Sequence, residues 1–340
     1  MRAEAITQSL NLPFSLIIIK YDYYIDSKNK CRLIDKSNMY IDRLRVISKD
    51  AVLAGTNMGT LHLINLLTNK RHIFKGEDTF FRFELLPQVN QIVTTQTRMI
   101  KIWDLNSLET PQSMFKIDDF AVEIFILPKN KFIIYNKTVP DKDINIYDSH
   151  GLVTTLYGHN LGVTSFALMG NKLISAAYGE FKIWNLDTEE LEATLYGHTR
   201  EINTIIVTDT LWYSGSDDKI IVWNYTQLIK TIHTDYEVKK IISIGDRLLS
   251  TDLKRNITVW TRKGKCIATL QHKHKDVKLL PNHQLVIISK DGFVIWDPEE
   301  NKIVSQWKYA KLSRYFDVVV LSKDRDGKLL LVINNNLAIF

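Results

Sequence analysis

His198, Ser216 and Asp218 bring an imidazole, a hydroxyl and a carboxylate into one short stretch of chain. These are the groups of a proton relay, in which a histidine takes a proton from a hydroxyl while a carboxylate orients the ring. His159, preceded by Gly158 as His198 is preceded by Gly197, begins a second such stretch. A relay catalyses only where substrate reaches the hydroxyl. The chain has no Gly-x-Ser-x-Gly elbow and no Gly-rich phosphate loop to supply that setting. His272, His274 and His283 are near one another, but no carboxylate pair or cysteine spacing completes a zinc set around them. No catalytic residue, metal or cofactor is expected.

The elements that carry these residues repeat. A β-branched or aromatic run ending in Trp recurs as KIWDL (101–105), KIWNL (182–186), IIVWNY (220–225), ITVWT (257–261) and FVIWD (293–297). Weaker copies put Ile64, Tyr147 and Phe340 at the Trp position. A period of this length means one supersecondary unit stacked many times. In the clearest copy, the runs 202–207, 211–214, 220–223 and 228–232 read as four short strands, with Gly, Ser and Asp crowding the turn at 215–219. The third run is wholly apolar, as a sheet covered on both faces requires. Four antiparallel strands per repeat, without a helical period, make the unit of an all-β propeller blade.

The Gly-His pairs at 158–159 and 197–198, the turn SGSDDK (214–219) and the Trp-Asp or Trp-Asn dipeptides at 103–104, 184–185, 223–224 and 296–297 resemble the WD-repeat family. That resemblance implies that a His, a Ser or Thr, an Asp and the Trp form a buried hydrogen-bond network inside a blade. Matched to this chain, the set is His198, Ser216, Asp218 and Trp223. The neighbouring repeat keeps His159 and Trp184 but has Ala177 at the hydroxyl position, and its turn AAYGE lacks Asp. These histidines are therefore expected to be internal supports.

Aligning KLLLVINNNLAIF (328–340) on KLISAAYGEFKIW (172–184) ends the chain on a third strand. Cys31–Asp35 then supplies the missing fourth strand, giving a closed ring of eight blades, with seven as the alternative. Closure would remove the free sheet edges that invite aggregation. The expected organisation is an N-terminal extension over 1–30 and one propeller over 31–340. Leu12-Pro13, Leu16, Ile17, Ile19 and the stretch 23–40 are also similar to an F-box, which implies docking to a cullin ubiquitin-ligase adaptor. The run Ile17-Ile18-Ile19 favours strand over helix, and 31–35 is already needed to close the ring.

Two cysteines, Cys31 and Cys266, make no disulfide framework and are read as free, buried thiols of a reducing compartment, so a cytoplasmic location is expected. No segment approaches the length of an apolar membrane span, and no signal peptide is read. Lys and Arg number 44 against 38 Asp and Glu, so the placement of charge matters more than its total. On one face of the expected ring, the loops of blades six to eight carry Lys254, Arg255, Lys273, Lys275, Lys290, Lys308, Lys311 and Arg314 against three acidic residues. Tyr309, Tyr315 and Phe316 add aromatic surface there. The matching loops of blades four and five carry Arg200 and Lys219 against Glu180, Glu201, Asp217, Asp218, Asp235 and Glu237. A clustered basic sector suits an acidic or phosphorylated peptide or protein. Nucleic acid is disfavoured because basic and aromatic residues do not interleave as a base-stacking platform. The expected function is a non-catalytic protein-interaction scaffold. The alternative is a ubiquitin-ligase substrate receptor.

Overall fold

The computed structural model describes residues 41–308 apart from short breaks (49–50, 57–59, 66–67, 69–70, 76–81, 87, 97, 108–109, 118–122, 137–139, 210, 218, 275, 280–282 and 290–291), together with six terminal strands. Every regular element among the described residues is a β-strand, and no helix there is long and apolar enough to cross a membrane.

Seven four-stranded antiparallel sheets follow one another along the chain, each in simple meander order. Blade 1 is Ile41–Ser48, Ala51–Thr56, Thr60–Asn65 and Arg71–Lys75, and blade 2 is Arg82–Leu86, Gln91–Gln96, Met99–Asp104 and Ser113–Lys116. Blade 3 is Glu123–Ile126, Phe132–Tyr135, Ile144–Asp148 and Gly151–Leu156, and blade 4 is Ser165–Met169, Lys172–Ala176, Tyr178–Asn185 and Leu191–Glu201. Blade 5 is Thr204–Val207, Trp212–Ser216, Lys219–Asn224 and Gln227–His233. Blade 6 is Val238–Ile244, Arg247–Asp252, Asn256–Thr261 and Cys266–Gln271, and blade 7 is Asp276–Leu279, Leu285–Ile288, Gly292–Asp297 and Lys302–Lys308. First strands lie beside first strands of neighbouring blades, as between Thr204–Val207 and both Ser165–Met169 and Val238–Ile244. Fourth strands such as Gln227–His233 are mostly exposed. The first strand is thus the inner one and the fourth the outer.

The core fills the space between successive sheets. Third strands are buried on both faces, which is why their sequences are unbroken apolar runs: Ile220, Ile221, Val222 and Trp223 are all buried. Within blade 5, Trp223 stacks on Trp212 with centroids 4.8 Å apart, and Phe181 of blade 4 meets both rings edge-on at 5.4 and 5.1 Å. Such aromatic contacts lock one blade to the next.

A further sheet has six strands, in the order Cys31–Leu33, Tyr23–Ile25, Ile17–Ile19, Asn336–Ile339, Leu329–Ile333, Val318–Val320. Here the expected closing strand is corrected. Ile17–Ile19 pairs with the C-terminal strand, Ile18 opposite Ala338, whereas Cys31–Leu33 pairs with Tyr23–Ile25 at the sheet's far edge. The β-branched run Ile17-Ile18-Ile19 suits a central position, paired on both sides. Strands at 17–19 and 23–25 also stand where an F-box would need helix. Cys266 is free, as expected, but exposed rather than buried, on an outer strand.

Candidate functional site

In blades 2, 4, 5, 6 and 7 a third-strand Trp faces the second strand in antiparallel register, and register decides what its indole meets. Trp223 lies opposite Trp212, so the diagonal neighbour two residues on is Ser214. The indole N–H donates to Ser214 Oγ at 2.9 Å, and His198 Nε2 meets the same oxygen at 2.8 Å. Ser216, the hydroxyl expected in this role, lies one step beyond and donates to the Glu201 carbonyl at 2.5 Å. The sequence alignment erred because the second strand runs on to Ser216, leaving only a tight turn where a longer one was read. Asp218 lies outside the described residues. Asp217 stands near His198, accepts from Thr199 Oγ1 at 2.7 Å and lies 3.6 Å from Arg200 Nε. Among the described residues, His198 Nδ1 is buried without a hydrogen-bond partner.

The same diagonal rule recovers a set in blade 4 that the sequence reading denied it. Trp184 lies opposite Leu173, so Ser175, not Ala177, is the diagonal neighbour. Trp184 Nε1–H donates to Ser175 Oγ at 2.8 Å, and the Ser175 hydroxyl meets His159 Nε2 at 2.6 Å. His159 Nδ1 is 2.7 Å from Glu180 Oε1, so the neutral ring donates to the carboxylate and accepts from the serine. Trp103 with Thr94 at 3.0 Å and Trp260 with Ser250 at 2.8 Å repeat the Trp–hydroxyl pair in blades 2 and 6. The signal was in the sequence as a Ser or Thr nine or ten residues before the Trp. It is interrupted at blade 7, where Ile287 takes that place.

A bulge aims Glu180 at His159. The pairing of the third and fourth strands slips between Tyr178 and Glu180, where Gly179 adopts φ +71°. A Cβ there would fall 2.9 Å from the His198 carbonyl oxygen, so both the left-handed backbone and the close approach require glycine. Glu180 Oε2 lies 3.7 Å from Lys182 Nζ and accepts from the Tyr196 hydroxyl at 3.4 Å. Lys182 also donates to Thr194 Oγ1 at 3.0 Å.

Ser175, His159 and Glu180 therefore have the connectivity of a hydrolytic triad, but the hydroxyl is fully buried and already accepts the indole proton. A nucleophile enclosed in this way has no place for a substrate carbonyl beside it. Burial also lowers both imidazoles below the ordinary histidine value, His198 to about 4, with Lys219 adding to the effect and Asp217 opposing it. For His159 burial outweighs the opposing hydrogen bond to Glu180. Both are neutral hydrogen-bonding groups at pH 7.

These blades also carry the match to known proteins. The pattern for "WD domain, G-beta repeat" (WD40) matches residues 189–224, which run from the third-to-fourth strand turn of blade 4 through Trp223 and Asn224. The chain carries a WD40 repeat. Its fold is similar to that of the WD40 beta propeller domain of Doa1, with TM-score 0.55 at 14% identity over 95% of this chain and 96% of that one. It is also similar to the computationally designed Ika8 protein, with TM-score 0.70 at 18% identity over 90% of this chain and 97% of that one. Among curated sequences, Protein TIC 214 of Glycine max is 23% identical over 248 residues, covering 71% of this chain but only 13% of that protein. In WD40 terms, the described residues form seven four-stranded blades and an internal hydrogen-bond network that, among those residues, is fullest in blade 4.

The basic residues fall as follows. Lys254 and Arg255 are exposed in the turn between the second and third strands of blade 6, and Lys273 is exposed in the loop that leaves its fourth strand. Antiparallel alternation puts these two connections at the same end of the sheet. Lys254 Nζ lies 5.8 Å from the ring of Tyr236, which is exposed in the loop entering the blade. Lys308 ends the outer strand of blade 7. Lys275, Lys290, Lys311 and Arg314 lie outside the described residues, as do Tyr309, Tyr315 and Phe316. His274 turns its Nδ1 to the His272 carbonyl at 2.8 Å, while His283, near Gly245 in the turn between the first and second strands, is at the opposite end. The structure separates His283 from His272 and His274, and among the described residues no group of three or more His, Cys, Asp or Glu could hold a metal ion.

Proposed function

We propose that this chain is a non-catalytic interaction scaffold that binds a peptide or protein on the loop end of its blades. In this reading Lys254, Arg255 and Lys273, joined by Lys275, Lys290, Lys308, Lys311 and Arg314, form a basic sector that receives an acidic or phosphorylated segment. The observation that carries the reading is a contrast of placement. The groups with relay chemistry are enclosed inside blades, whereas Lys254, Arg255 and Lys273 are exposed together at one end of blade 6. WD40 propellers mediate protein–protein interaction as a class, which supports the coarser part of the reading.

We also propose that the six-stranded sheet is an eighth blade that closes the ring. Two observations support it: Val318–Val320 lies near the first strands of both blade 7 and blade 1, and Ile17–Ile19 adds a fourth strand outside Asn336–Ile339.

The test is an affinity capture with the parent and with a variant in which Lys254, Arg255, Lys273 and Lys275 are reversed to Glu, at low and high ionic strength. These loop changes should each disturb folding by only about ±0.5 kcal/mol. The expected result is loss of the captured partner, through slower association and a flatter salt dependence. Equal capture with equal salt dependence would move the binding site elsewhere. A cullin adaptor among the captured proteins would favour a ligase receptor over a scaffold.

A further inference from the structure

Three large aromatic side chains on blade 4 are presented to solvent instead of packed. Tyr157, Tyr178 and Tyr196 are 70%, 54% and 69% exposed, whereas Tyr213 and Tyr147 are buried in their blades. The Tyr196 hydroxyl donates to Glu180 Oε2. Tyr178 precedes Glu180 by two residues on the same strand, across the Gly179 bulge, and pairs with Glu201 of the neighbouring strand. Tyr157 precedes by two residues the His159 that donates to Glu180 Oε1. Gly158, between them, lies against the stem of Lys182 and the ring of Trp184 at φ +148°, so the backbone there seats the loop closely on the blade.

The hydrogen bonds to Glu180 are what hold this surface. They tie the fourth strand, the bulged third strand and the loop entering the blade to a single anionic centre. Lys182 lies 3.7 Å from the Glu180 carboxylate inside the blade, and the exposed carboxylate beside Tyr178 is Glu201. Exposed tyrosine faces beside an exposed carboxylate attract cations through the ring quadrupole and the carboxylate together. Exposed aromatic surface rimmed by polar groups is also a usual form of a protein-binding patch.

We propose that Tyr157, Tyr178 and Tyr196 form a second docking surface that takes an Arg- or Lys-bearing segment of a partner protein. Its guanidinium or ammonium groups lie over the tyrosine rings and face Glu201. The surface is distinct from the basic sector of blade 6 and needs the loop-face reading only for the face, not for that sector. Nucleic acid is the wrong ligand here, because its phosphates would meet the Glu201 carboxylate. A partner that used both surfaces would carry a basic segment followed by an acidic one.

The experiment titrates a fluorescein-labelled peptide of alternating Arg and Gly into the full chain by fluorescence anisotropy, with a Glu-Gly peptide as control. The Arg-Gly peptide should bind at low salt, and the Glu-Gly peptide should not bind this surface. The triple variant Tyr157→Ser, Tyr178→Ser, Tyr196→Ser should weaken Arg-Gly binding about tenfold or more through loss of three cation–π faces. Glu201→Lys, a single exposed change, should weaken it about threefold and serves if the triple variant does not fold. Reversal of Lys254, Arg255 and Lys273 should leave it no weaker, which separates failure here from failure of the basic sector. Absence of Arg-Gly binding, equal binding by the folded triple variant, or an unchanged affinity in Glu201→Lys would overturn the proposal.

Discussion

Ser214→Ala tests the internal network where sequence and structure disagree. Ser214 is fully buried, and its oxygen serves two buried partners, accepting from Trp223 Nε1–H at 2.9 Å and meeting His198 Nε2 at 2.8 Å. Removing it leaves both partners unpaired. A buried polar group stripped of its partner costs about 1–3 kcal/mol, so the pair together comes to on the order of 3 kcal/mol. Unfolding entropy near 2.1 cal/mol/K per residue gives roughly 0.7 kcal/mol/K for this chain, so the loss corresponds to a fall in Tm of roughly 4 °C if the blades melt as one unit. Ser216→Ala removes one bond, to the carbonyl of the exposed Glu201, and should cost about 1 kcal/mol or less. The assay is calorimetry with urea unfolding for parent and both single variants. The double variant with His198→Ala should fall short of additivity by about 1 kcal/mol, because the two side chains share one bond. A Ser216→Ala variant as destabilised as Ser214→Ala, or an additive double variant, would refute the diagonal-register argument.

Trp223→Ala should cost about 3–5 kcal/mol, since the ring stacks on Trp212 and seals the contact between blades 4 and 5; a melt like that of the parent would mean that this contact holds little. Acid should destabilise the fold through the two histidines. His198 has a folded pKa of about 4, below its unfolded value near 6.5, so the unfolded chain binds more protons between those values. The stabilisation is complete above pH 6.5 and is lost as pH falls toward 4, by on the order of 3 kcal/mol, with His159 acting in the same direction. Stability measured by urea unfolding from pH 7 to 4 checks this, and His198→Gln should flatten the profile. Deleting Leu337–Phe340 removes the strand between Ile17–Ile19 and Leu329–Ile333 and should lower solubility and broaden the melt. An unchanged melt would show that the terminal sheet contributes nothing to the stability of the blades.

The recurring apolar runs ending in Trp announced the blade unit because two-sided burial leaves no freedom in composition: Ile220 to Trp223 could be nothing but a covered strand. The order of the strands followed too, since short polar turns join only neighbours. Which hydroxyl meets which Trp did not follow, although Ser175 and Ser214 were in plain view. Their role depends on cross-strand register, and a one-residue change in where a strand ends moves the candidate from Ser214 to Ser216. Glu180 was less legible still. It reaches His159 only because Gly179 bulges the strand against the His198 backbone, a contact made between segments that share no local pattern. The strand paired with the C-terminal strand went the same way. Cys31–Asp35 and Ile17–Ile19 both have strand composition, and pairing with Leu337–Ile339 chose the latter. Composition is written residue by residue, so burial and strand type can be read from it. Register, bulges and the partner of an edge are decided by the neighbours that a strand meets only once the sheets have assembled.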